Sequence, residues 1–158
     1  MKRFVGLLII GVLAFASVGR AADCTMALTR ISSGMSSVVF MCSVTTTGST
    51  GYAATATSTA ITAAIKGMVL AEVRTSPGVQ APTNGTAVTI KSADSPALDL
   101  MGGVVTVSST ATTAFVPKID STNYGKPSVD TALTVAITAN SVADAIVYVK
   151  LILHRLIP

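Results

Sequence analysis

The chain has 158 residues, 50% of them hydrophobic and only 11% charged, with one Glu (Glu72), no Trp and a formal charge of +4. At this length a single domain buries roughly two-thirds of the surface of its unfolded chain, so stability requires neither a structural metal nor a disulfide. Lys2, Arg3 and Arg20 all lie in the first 21 residues, and without them the charge falls to +1; the basicity belongs to that segment and gives no electrostatic case for nucleic-acid binding.

Residues 1–21 read as a secretory leader, a signal-like helix ahead of one domain over residues 22–158. Lys2 and Arg3 form a positive start, Phe4 to Ala16 an apolar run, and Gly19-Arg20-Ala21 a small-x-small cleavage site. The apolar run is shorter than the ~20 residues that span a bilayer, so no membrane association is expected beyond the leader. Asp23 before Cys24 argues against a lipoprotein signal. The two cysteines, Cys24 and Cys42, both survive cleavage after Ala21. Either they form a disulfide, worth roughly 3 kcal/mol on a chain-entropy estimate, or Cys42 is a small core residue facing the same side as Val38, Phe40 and Val44.

The rest of the chain is rich in Thr and Val, which favour strands because β-branched side chains lose rotamer freedom in helices. Strands are predicted at Ser37–Thr46, Tyr52–Thr59, Met68–Thr75, Thr86–Ser92, Val104–Ser109, Thr113–Val116, Thr131–Thr138 and Ala145–Leu153. The Gly residues of Thr46–Gly51 suggest a hairpin loop, and Thr45–Thr62 reads as an edge strand with a polar face. Ala60–Ile65 fits either a helical turn or a strand lead-in. Lys118–Val129 is the one long polar loop. Turn residues recur every eight to twelve positions or so, the spacing of an all-β, single antiparallel β-sandwich, either jelly-roll-like or a flattened barrel.

The most informative stretch is Gly67–Gly103. Val69, Ala71 and Val73 alternate with Leu70, Glu72 and Arg74, and Pro77, Gly78, Pro82, Asn84 and Gly85 then force turns. Pro77, Gly78, Ala81, Pro82 and Thr83, followed after a strand by Asp94, Asp99, Gly102 and Gly103, resemble a group of small tailed-phage virion proteins. Those proteins carry D-P-G-x-x-A-P-T-x-N and then D-x-x-G-x-D-x-x-G-G. Ser76 and Ala97 depart from that pattern. Phe115-Val116-Pro117 and Leu133–Asn140 extend the resemblance, as does Met26–Gly34, which would open the chain if translation began at Met26.

Catalytic chemistry is thinly provided. His154 is the sole histidine, close to the C-terminus, and reads as a surface residue and not a general base. Asp94 and Asp99 are too sparsely flanked by oxygen ligands for a calcium loop, since Pro96 and Leu98 supply none, and read as turn anchors. No catalytic or phosphate-binding motif is present, and three tyrosines make a poor stacking platform. No enzyme activity, cofactor, metal or small-molecule substrate is therefore expected.

The run from Ala145 to Leu153 is apolar on both faces apart from Lys150, as in a central strand or one covered when subunits associate. Ile146, Tyr148 and Ile152 share one face and are the candidate assembly residues. The resemblance implies a virion structural protein (capsid decoration, tail or fibre) whose partners are itself and other virion proteins. The leader points instead to an exported β-sandwich filament subunit or adhesin, periplasmic or extracellular, and a secreted ligand-binding module comes third.

Overall fold

The computed structural model describes residues 24–32, 34–43, 51–118, 120 and 122–155; the leader and most of the Thr46–Gly51 loop lie outside them. The described residues form β1 (Cys24–Ser32), β2 (Met35–Ser43), β3 (Gly51–Ala56), α1 (Thr59–Ile65), β4 (Met68–Pro77) and β5 (Thr86–Ser92). There follow β6 (Val105–Val107), β7 (Thr113–Phe115), β8 (Ser128–Val129), β9 (Leu133–Thr138) and β10 (Ile146–Arg155). The fold is all-β. One sheet runs β1-β2-β10-β4-β7, with β8 also on β4; the other runs β3-β9-β5-β6. All of the pairings are antiparallel.

Alternation makes the sandwich. Val38, Phe40 and Cys42 on β2 and Val147, Val149, Leu151 and Leu153 on β10 have no exposed surface. They join Val88 and Ile90 of β5, Val107 of β6, and Leu133, Val135 and Ile137 of β9 in one core between the sheets. Burying each such side chain contributes ~1.5–3 kcal/mol. Thr75, fully buried on β4, satisfies its hydroxyl by donating to the Thr106 carbonyl on β6 at 3.2 Å, a polar link across the layers.

β4 departs from simple alternation. Ile152 faces Glu72, but the next residue of β10, Leu153, faces Leu70, so Ala71 is the extra residue of a β-bulge. The bulge lets Leu70 and Val73, three residues apart, both point into the core, where neither has exposed surface. The ambiguous Ala60–Ile65 segment is helical: Ser58 caps it by accepting the Ile61 N–H at 3.3 Å, Ile65 is buried, and Gly67 at φ +74° follows its end.

One expectation is corrected. Thr46–Gly51 does not join a hairpin, because β2 is flanked by β1 and β10 while β3 pairs with β9 in the other sheet. Of the two alternatives for the C-terminal strand the structure shows the central one: β10 is hydrogen-bonded to β2 and β4 on its two sides, so it has no free edge with which to pair a neighbouring subunit. The short β8 inside the predicted polar loop is an addition: Ser128 and Val129 pair with Val69 and Met68, with Val129 buried.

Chain exit from β4 depends on close approach to β10. The Gly78 N–H donates to the Ile146 carbonyl at 2.8 Å, and the Ile146 N–H donates to the Gln80 carbonyl at 2.8 Å. A Cβ on residue 78 would lie 2.4 Å from that of Ile146. Gly78→Ala is expected to destabilise the fold by about 1–3 kcal/mol, the cost of overpacking, read as a lower urea midpoint with an unchanged slope.

Candidate assembly surface

Residues of Pro77–Gly103 take part in two places where loops are locked. In the first, Thr83 and Asn140 join the β4–β5 and β9–β10 loops. Asn140 is fully buried; its Oδ1 accepts the Thr83 N–H at 3.0 Å and the Val142 N–H at 3.3 Å, while its Nδ2 donates to the Val142 carbonyl at 2.8 Å. The Ser141 N–H donates to Thr83 Oγ1 at 2.9 Å. Ala139, just before this knot, is held at φ +61°, a left-handed conformation uncommon for a side chain with a Cβ. The partner of Asn140 lies 57 positions away, so no local sequence pattern announces the contact.

In the second, Asp99 Oδ1 accepts the Met101 N–H at 2.9 Å, and Gly102 sits at φ +60° where a Cβ would come within 2.6 Å of the Asp120 carbonyl. Glycine is required there by both conformation and space. Asp120 in turn organises its own loop, accepting from Asn123 Nδ2, the Thr122 N–H and the Asn123 N–H, each at 2.8 Å, and from the Thr122 hydroxyl at 2.9 Å. The Asn123 amide first, then these backbone N–H groups, hold the Asp120 carboxyl well below the usual range. Asp94 is exposed and does not meet Asp99 in a hydrogen-bonded pair. Among the described residues no group of three or more His, Cys, Asp or Glu could hold a metal.

Two open concavities flank this second lock and share Lys118. One, of about 410 Å³, is lined by Met101, Val104, Phe115, Val116 and Tyr124; the other, of about 310 Å³, by Leu98, Asp94, Asp99, Lys126 and Asp130. Lys118 Nζ lies 5.4 Å from the Tyr124 ring centre, a cation–π contact on an exposed loop. In the second concavity the Ser128 hydroxyl donates to Asp130 Oδ2 at 3.0 Å. His154 is half-buried on β10, opposite Met35 and Val69.

The three candidate assembly residues do share a face, the outer side of the six-stranded sheet, but unequally. Rows across the strands read Thr25, Met41, Tyr148 and Ser76, then Ala27, Val39, Lys150 and Arg74. Ile146 and Tyr148 are half-buried and Met41 is 38% exposed, whereas Ile152 retains only 9% of its surface. Ile152 is therefore a packing residue, and a lysine there would damage the fold instead of merely separating subunits. Arg74 pairs with Glu72 at the side of this face, which raises the Arg74 pKa through the hydrogen bond and the opposite charge. Met41, absent from the sequence-based candidates, is the most open apolar residue of this patch.

Cys24 and Cys42 are joined by a disulfide across β1 and β2, closing 18 positions of chain. They are directly opposed in the register, with Cys42 fully buried and Cys24 at 8%.

No family model, curated protein or solved structure matches the chain.

Removing the Asn140 side chain leaves the part-buried Thr83 N–H without its acceptor. Asn140→Ala should cost about 1–3 kcal/mol, measured by denaturant unfolding. The lowered Asp120 pKa makes a distinct expectation: its contribution is present above the ordinary aspartate range and is lost only as pH falls through the lower folded value. In a carboxyl NMR titration Asp120 should titrate below the other aspartates, and Asn123→Ala should move it upward.

Proposed function

We propose that this chain is a non-enzymatic structural subunit of a phage virion, in a capsid-decoration, tail or fibre position, that works by self-association and contact with other virion proteins. The observation that carries the reading is the use made of the virion-like stretch. Gly78, Thr83, Asp99 and Gly102 all fix loop shape through close backbone approach or side-chain-to-backbone hydrogen bonds. Such residues specify a rigid outline, which is what a repeated particle subunit requires. The half-buried Ile146 and Tyr148, with Met41, supply an apolar patch on the sheet's outer face.

A second reading, an exported filament subunit or adhesin, is favoured by the Cys24–Cys42 disulfide together with the leader-like residues 1–21, because such bonds persist in oxidising compartments. Intact-mass measurement on the native protein separates the two. A mass beginning at residue 22 with both cysteines oxidised supports export, and one beginning at Met26 supports cytoplasmic assembly without the bond.

Sedimentation tests self-association directly. Wild-type chain from residue 22 should form a species larger than a monomer at tens of micromolar, and Met41→Lys with Tyr148→Lys should reduce it while preserving the circular dichroism spectrum. His154→Ala should leave assembly unchanged. A strictly monomeric wild type overturns the proposal.

A further inference from the structure

The four strands at the ends of the two sheets differ greatly in what they offer a partner. β6 and β7 are three residues each, and the pairing of β3 is interrupted between Tyr52 and Thr55. β1 is nine residues long, is paired with β2 in unbroken register from Cys24 to Arg30, and among the described residues nothing pairs with its other side. Exposed edges are ordinarily protected by Pro, Lys, inward charges or bulges; β1 has one irregularity, between Arg30 and Ser32 at its end, and none from Cys24 to Arg30. CTMALTRIS contains no Pro, Lys, Asp or Glu, and Arg30 is its one charge.

Backbone geometry fixes which groups that edge presents. Cys24 and Cys42 have a Cα separation of 4.0 Å, that of a narrow pair whose N–H and C=O groups point away from each other. Thr25, Ala27 and Thr29 consequently exchange hydrogen bonds with β2, while Cys24, Met26, Leu28 and Arg30 direct theirs toward the free side. The side chains add a second clue. Leu28 is opposite the fully buried Val38 and so lies on the core-facing side of the sheet, yet it is 39% exposed.

We propose that β1 is a pairing edge for β1 of a second copy, antiparallel about a two-fold axis at Leu28, joining the two six-stranded sheets into one. This rests on the self-association reading above, which supplies the second copy. Self-pairing suits the strand's register. Leu28 meets Leu28 on the same face and each covers the other, while Met26 is set opposite Arg30 within the regular part of the strand, so no like charges are opposed. A charged or proline-rich partner strand would not cover Leu28 in this way.

Leu28→Pro removes a donor on the free side while leaving the hydrogen bonds between β1 and β2 intact, the one strand setting in which Pro is tolerated. In sedimentation of the chain from residue 22, this variant should dissociate the β1 contact, with self-association weakened roughly tenfold or more. Residue-resolved amide exchange on the wild type reports without any substitution: the Met26 and Leu28 amides should gain protection as concentration rises, and Ala27 and Thr29 should be protected throughout. Unchanged assembly in a folded Leu28→Pro variant, or Met26 and Leu28 amides that exchange rapidly at every concentration while the chain is associated, overturns the β1 contact and leaves self-association standing. A wild type that is monomeric throughout overturns both.

Discussion

The central place of β10 is the constraint on which the rest of the molecule depends. Its backbone is satisfied by β2 on one side and β4 on the other, and its inner row of Val147, Val149, Leu151 and Leu153 has no exposed surface. A strand in this position needs apolar side chains toward the opposing sheet and tolerates them on the outer side, which accounts for a composition hydrophobic on both faces. It also dictates the shape of β4. Keeping both Leu70 and Val73 in the core against a regular β10 requires an odd offset, and the bulge at Ala71 supplies it.

The ends of the sandwich are held by a different kind of interaction. Loops cannot bury enough apolar area to fix themselves, so their backbone groups must be met by side chains or by one another. Asn140 does this for Thr83 and Val142, Asp99 for Met101, and Ser92 for Leu98, whose N–H donates to Ser92 Oγ at 2.9 Å. Gly78 and Gly102 complete the arrangement by admitting neighbouring chain closer than a Cβ allows. The result is a rigid outline, with polar side chains spent on loop shape.

Local features of this fold were legible in the sequence, and pairing was not. Thr86–Ser92 alternates without interruption, so its limits coincide with those of β5. Ile65 and Gly67 lie at a helix end that Ala60–Ile65 alone left ambiguous, because a seven-residue helix has too few turns to establish a period. Period-2 patterning says which side chains share a face but not which strand lies alongside. Hence the Thr46–Gly51 turn residues suggested a hairpin where the chain crosses between sheets, and the Ala71 bulge was invisible. The glycines and prolines of Pro77–Gly85 announced turns; that Thr83 would meet Asn140 depends on the packed core bringing two distant loops together. For the candidate assembly face, alternation placed Ile146, Tyr148 and Ile152 on one side, and only packing separated the buried Ile152 from the more open pair.

The disulfide ties an end strand to its one neighbour. An end strand has one neighbour, and its opening free energy is among the smallest in a fold. A covalent link between Cys24 and Cys42 holds the first residue of β1 against a fully buried position of β2, and the chain-entropy estimate for such a loop is roughly 3 kcal/mol. The same link keeps the free side of β1 extended before any partner arrives, which lowers the ordering cost of pairing. In the proposed pairing, oxidation and edge contact would be successive steps, the bond holding the strand and a second copy then adding to it. A chain beginning at Met26 would lose the link and retain the Met26 and Leu28 groups, so it would present the same edge on a strand less firmly held. Whether Cys24 is retained thus sets how firmly the first residues of β1 are held against β2.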